Sequence, residues 1–186
     1  MKFLSNIRLL LIGLWLGAAV FFSFAVAPSA FAVLKNLQIA NSSSVAGEIV
    51  SRNLMIINFS GLIIGLILLA SSFVGSALAN RFALWTERIM LLILTLACAV
   101  GQFVIALWLR FVKAEIGKPI DEIALDDPLR IKFNNLHEYS VWVLIAAMVA
   151  AIIVFFIISG KSSAAAAAPK TGSKDFDFDF NKDFKI

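Results

Sequence analysis

Histidine and cysteine are nearly missing from this chain: among its 186 residues there is one of each, His137 and Cys98. A single cysteine excludes an intramolecular disulfide. A single histidine excludes a two-histidine haem site or a histidine-rich metal site built by one chain. Charge is scarce too, at 15% Asp, Glu, Lys and Arg, where a soluble domain carries about 25%. What charge there is avoids four long apolar runs. No carboxylate or basic side chain is therefore expected at mid-membrane, which argues against a proton-coupled pump or transporter made by this chain alone. No HExxH, phosphate loop or nucleophile–base pairing is found, and neither is a nucleic-acid motif or a dense basic patch. Cys98 lies inside an apolar run and is expected to act as a small hydrophobe.

What is present is apolar bulk, 61% of the residues with a mean hydropathy of +0.93. Continuous apolar runs above about 20 residues indicate membrane helices, whereas barrel strands would show as short alternating segments. The expected fold is all-α: a polytopic four-transmembrane-helix bundle over residues 1–160, with helices near 9–28, 55–78, 89–109 and 139–159. A flexible low-complexity tail, 161–186, follows. The net charge of +4 suits contact with anionic head groups of membrane lipids rather than nucleic acid.

The first run, Leu9–Leu34, has 26 uncharged residues. Its positive start and its AVA and AFA triplets resemble a signal peptide cleaved after Ala27 or Ala32. Its length and the Gly13–Gly17 GxxxG spacing favour a retained helix, bent or ended by Pro28. Residues 29–52 then read as a long loop, with a short interfacial helix in AFAVLKNLQIA. In the second run Gly61, Gly65, Ser72, Gly75 and Ala79 form a stripe of small residues, expected to pack against Gly13 and Gly17. Asn80–Arg88 is a short turn. Gln102, seven residues from Thr95, is expected to face protein in the third run, either bridging helices or lining a polar cavity.

Residues 110–138 read as a solvated, mixed-charge loop interrupted by Pro119 and Pro128. Its carboxylates Asp121, Glu122, Asp126 and Asp127 could hold Ca²⁺ or Mg²⁺, or be neutralised by neighbouring Lys and Arg. Tyr139 and Trp142 open the fourth run, and Ala146, Ala147, Ala150 and Ala151 give it a small face. At the tail, Asp175–Phe180 alternates acid and ring, so an extended chain puts Phe176, Phe178 and Phe180 on one side. That suits docking on a partner or on the membrane.

Four crossings put both termini on one side. That side carries Lys2, Arg8, Arg81, Arg88 and five tail lysines, against Lys35, Arg52, Arg110, Lys113, Lys118, Arg130 and Lys132 on the other. The positive-inside rule then favours cytoplasmic termini, in a bacterial inner (plasma) membrane or an internal membrane.

The stretch WLGAAVFFSFAVAPSAFAVL, with Trp15, Gly17, Pro28 and Phe31, resembles the first helix of the TMEM205-like, DUF4149 family of four-helix membrane proteins. FNNLHEYSVW resembles that family's Leu-His-x-x-Ser opening of the last helix, through Leu136, His137 and Ser140. The resemblance implies four crossings and a retained first helix. More distantly, Trp-Leu-Gly is similar to the copper resistance D family and to membrane proteins of late haem synthesis. Two functions are therefore expected to compete. The first is a non-enzymatic membrane protein, either free-standing or a structural or accessory subunit binding a larger complex through the 110–138 loop or the tail, with no cofactor. The alternative is a small haem- or metal-handling protein using His137, with Met90 or Met148 as a conceivable second axial ligand.

Overall fold

The computed structural model of the chain describes residues 2–73 and 81–167, with side chains over 3–73 and 81–160. Four helices, α1 (Phe3–Asn36), α2 (Ser42–Ser71), α3 (Arg81–Ile116) and α4 (Pro128–Ala167), make up nearly all of it, and each is long and apolar enough to cross a membrane. They run up and down, joined on one end of the bundle by residues 37–41 and 117–127. The first half of α1 packs on α4, α4 on α3, and α3 on α2, while the second half of α1 packs chiefly on α2.

Every helix reaches past its apolar run at one end or both, although α2, expected over 55–78, ends at Ser71 with a turn at Ser72 and Phe73. Hydropathy marks the part of a helix that lipid selects, while helical hydrogen bonding carries on into the polar interface. The expected loops at 29–52 and 110–138 and the turn at 80–88 are accordingly mostly helix. Pro28 neither ends nor breaks α1. A π turn, Phe22–Val26, precedes it, and the helix resumes at Ala27–Asn36. The wider π ring leaves room where proline's missing N–H and its ring would otherwise disturb the ladder.

The true ends have local causes. Gln38 (φ 51°) and Asn41 (φ 58°) take left-handed conformations between α1 and α2. Gly117 (φ 65°) ends α3 in the left-handed region that glycine tolerates, its N–H donating to the Lys113 carbonyl at 3.2 Å. Pro128 opens α4 instead of interrupting a loop. Proline at the first helical position loses no intrahelical bond, and Asp127 Oδ1 accepts from the Leu129 N–H at 2.8 Å. Asp127→Ala is expected to cost about 1 kcal/mol and to fray the start of α4, seen as faster amide exchange over residues 129–133.

Buried positions recur at helical spacing: Ile12, Trp15, Ala19 and Phe22 on α1; Leu91, Leu94 and Cys98 on α3; Leu144, Ala147, Ala151, Val154 and Ile158 on α4. The outer faces are just as apolar, with Leu14 70%, Phe24 79% and Phe156 68% exposed. A surface of that kind is stable against lipid and not against water. Trp108, Tyr139 and Trp142 are exposed at the link end, where amphipathic rings favour the interface.

The small stripe of α2 is real, but its partner differs from expectation. A Cβ on Gly61 would stand 2.6 Å from both Cys98 Sγ and Trp15 Nε1, and one on Gly65 would collide with Thr95 Oγ1. The stripe therefore receives α3 together with one indole of α1. Gly13 faces Phe155 on α4, and Gly17 is exposed with nothing within 4 Å. Ser72 is buried at the end of α2. Gly75 and Ala79 lie outside the described residues. On α4, Ala147, Ala150 and Ala151 are buried, while Ala146 is exposed.

Candidate functional site

At the link end the bundle opens into a cavity of about 630 Å³ between α2, α3 and α4. This is within the range of about 300–1,000 Å³ typical of small-molecule sites. Apolar walls come from Leu54, Met55, Ile105 and Leu109, with Phe31 of α1 and Phe133 of α4 near the rim. Its inner end is polar: Asn58, Gln102 and Ser140 line it beside Gly101. Asn58 lies six residues past Arg52 on α2, and Gln102 eight before Arg110 on α3. At 1.5 Å per residue, those amides sit about 9–12 Å inside the charged layer.

The inner end depends on a second π turn, Gly101–Ile105. Gly101 faces Asn58, whose Nδ2 would be 3.0 Å from a Cβ placed there. Ser140 Oγ donates to the carbonyl of His137 within α4 at 2.7 Å. Gln102 does not bridge helices: its Oε1 is buried without a hydrogen-bond partner among the described residues. A buried acceptor left unpaired costs about 1–3 kcal/mol, so a donor entering the cavity would meet a group that gains from it.

The mouth is charged and unbalanced. Arg52, Arg110, Lys113, Lys118 and Arg130 line it against two carboxylates, Glu48 and Asp121. Lys113 Nζ donates to Glu48 Oε2 at 2.8 Å, and the Ser44 N–H donates to Asp121 Oδ2 at 3.4 Å. Arg130 donates to the neutral carbonyl of Ile123, and Arg110 points at Met55 Sδ, 3.8 Å away. Arg52 and Lys118 make no salt bridge among the described residues. The rim therefore keeps cationic character beyond what its own acids offset.

His137 is exposed and lines this cavity. Met148 lies eleven residues further along the same helix, about 16 Å away by helical rise, so the two cannot share one iron. Met90 lies on α3 eleven residues before Gly101, toward the opposite end, among side chains packed on the core. Among the described residues no group of three or more His, Cys, Asp and Glu is placed to hold a metal ion. The acidic stretch 121–127 is divided between structural tasks, since Asp121 receives Ser44 and Asp127 caps α4.

Of the other family-like residues, Trp15 is a core residue whose Nε1 donates to the Ile57 carbonyl at 3.0 Å. Pro28 is exposed beyond its π turn, and Leu136 is buried. Phe176, Phe178 and Phe180 lie outside the described residues. Sequence reasoning missed Asn58 and the rim arginines as one site. The available signal was an amide inside an apolar run, Asn58, as well as Gln102; lipid offers such groups no partner.

At the opposite end lies a buried charge cluster. Arg8 of α1 pairs with Glu87 of α3, whose side chain is 1% exposed, and also reaches the Leu68 carbonyl at 3.5 Å. Arg88 donates to the Ser72 carbonyl at 3.1 Å and lies over the Phe73 ring at 4.2 Å. It thereby satisfies one of the carbonyls left open where α2 ends.

A family model described as a domain of unknown function, DUF4149, matches residues 10–118. The match covers most of α1, all of α2 and α3, and stops before α4, so Leu136, His137 and Ser140 lie beyond it. Comparison with curated proteins and with solved structures gives no match.

Proposed function

The chain belongs to the DUF4149 family, a domain of unknown function, and from that premise we propose that it is a non-catalytic binding protein of the membrane, acting as an accessory component of a larger membrane assembly. The observation that carries this reading is the cavity of about 630 Å³ with a charged rim, apolar walls and an amide-lined inner end. Cations, amides and hydroxyls held at separate depths suit retention of a small molecule. Kinship to TMEM205-like proteins belongs to the same proposal and is supported by the four crossings and by Trp15 in the core. Cytoplasmic termini, supported by the balance of basic residues, put the cavity on the outer face of a bacterial plasma membrane. The Asp–Phe tail and the 117–127 link are the docking elements in this scheme.

Native mass spectrometry of the full chain in mild detergent tests the reading. It expects a retained small molecule on the chain and a co-purifying protein that is lost when residues 170–186 are deleted. A bare monomer with neither would overturn it.

A second reading keeps His137 as a ligand to haem or metal, favoured by its exposed imidazole at the cavity rim and by similarity to copper resistance D-like proteins. The two readings differ in the absorption spectrum. The binding-protein reading expects no Soret band and no change in His137→Ala. A Soret band abolished by that substitution would move the assignment to haem.

A further inference from the structure

The cavity has two unlike ends, and together they define the chemistry of what fits. The rim sets five cations against two carboxylates, and Lys113 already occupies Glu48. Arg52 and Lys118 make no salt bridge among the described residues; Arg110 points at the Met55 thioether, and Arg110 and Arg52 share the field of Glu48 with Lys113 without pairing to it directly. Below the rim the walls are apolar, and about 12 Å along α3 from Arg110 lies the unpartnered Gln102 Oε1. An uncharged apolar guest would leave both the cations and this oxygen unused. A small inorganic anion would satisfy the rim but leave the apolar shaft empty.

We propose that the cavity binds an anionic amphiphile of the membrane, a phosphate- or carboxylate-headed lipid. Its head lies among Arg52, Arg110 and Lys118, and its body lies along Leu54, Met55 and Ile105. This rests on the binding-protein reading above and names the ligand class of that site. The rim lies at the level where lipid head groups sit, because the exposed Trp108, Tyr139 and Trp142 mark the interface at the same end. Charge-assisted hydrogen bonds to the head hold the ligand in register, and a hydroxyl or amide N–H carried by its body would donate to Gln102 Oε1. The second half of α1, Ala27–Asn36, packs chiefly on α2, and Phe31 of α1 and Phe133 of α4 add rings to the cavity lining near its rim.

The test is lipid extraction and mass spectrometry of the full chain purified in mild detergent, alongside thermal shift with added ligands. The expected result is a near-stoichiometric anionic lipid whose retention falls about tenfold or more in Arg52→Gln/Arg110→Gln. Arg81→Gln, an exposed cation on the opposite end, is expected to retain it unchanged. Monomer dispersity and helical content of each variant report that folding is preserved. An anionic lipid is also expected to raise the melting temperature where inorganic phosphate alone does not. Retention of a neutral lipid only would overturn this inference and leave the binding reading standing. An equal shift with phosphate alone, or equal retention by the rim variant, would also overturn it. No retained molecule at all would overturn this inference, and if no protein co-purified either it would sink both.

Discussion

Glu87→Ala is expected to destabilise the bundle by about 3–5 kcal/mol, because it leaves a buried guanidinium without its counter-charge. Glu87 is 1% exposed and Arg8 16% exposed at the side chain, so water does little to replace the lost partner. Among the described residues Arg8 then retains only the Leu68 carbonyl at 3.5 Å, while its Nε is already buried without a partner there. The SDS-denaturation midpoint in mixed micelles measures the loss. Replacing both residues, Arg8→Leu/Glu87→Leu, is expected to recover most of it, since two apolar side chains avoid the desolvation that each charge incurs. A double variant as unstable as Glu87→Ala would mean that the pair carries something besides charge compensation, and a harmless Glu87→Ala would dismiss the pair as a contributor.

Gly61→Ala is expected to cost about 1–3 kcal/mol through overpacking, and a further 0.5–1.5 kcal/mol or so if the indole bond breaks. The added methyl would lie 2.6 Å from Cys98 Sγ and 2.6 Å from Trp15 Nε1, so α1 and α3 must both yield. Trp15 holds α1 to α2 by donating to the Ile57 carbonyl, one helical turn before Gly61. With no side chain at Gly61, that carbonyl is open to a donor from a neighbouring helix. The effect should appear as a lower melting temperature together with a red-shifted, more exposed tryptophan emission. Adding Cys98→Ala removes one of the two collisions and should restore part of the stability. No recovery would place the whole strain on Trp15. Gly17→Ala is the useful contrast: with open space around Gly17, it should be nearly silent.

The two glycine outcomes show where sequence reading reaches its limit. GxxxG on α1 and the small stripe on α2 look alike as patterns, because both describe a helix face without naming what meets it. Which face is covered depends on the rotation of each helix about its axis, and that is set by contacts between residues far apart in the chain. Glu87 is similar. The expected short turn Asn80–Arg88 carries no sign that Glu87 is buried, and its pairing with Arg8, 79 positions away, shows only in the fold.

Helix ends were more legible than loops. Asp127-Pro128 and Gly117 carry their capping chemistry locally, although a reading centred on hydropathy assigned both to a loop. The fold class, the four crossings and the scarcity of metal ligands were determined by the sequence alone. Lipid selects continuous apolar helices whatever their partners, and composition bounds what donor atoms exist. Tertiary structure alone decided the cavity. Arg52, Arg110, Asn58 and Gln102 become one site only when α2 and α3 lie side by side, and the Gln102 oxygen is unpaired because no neighbour among the described residues reaches it. The run from Leu9 to Leu34 was recognisable as a membrane helix, but its role as the helix whose Trp15 seats on Gly61 came from packing, where a missing Cβ and an indole N–H meet across a distance of 46 residues.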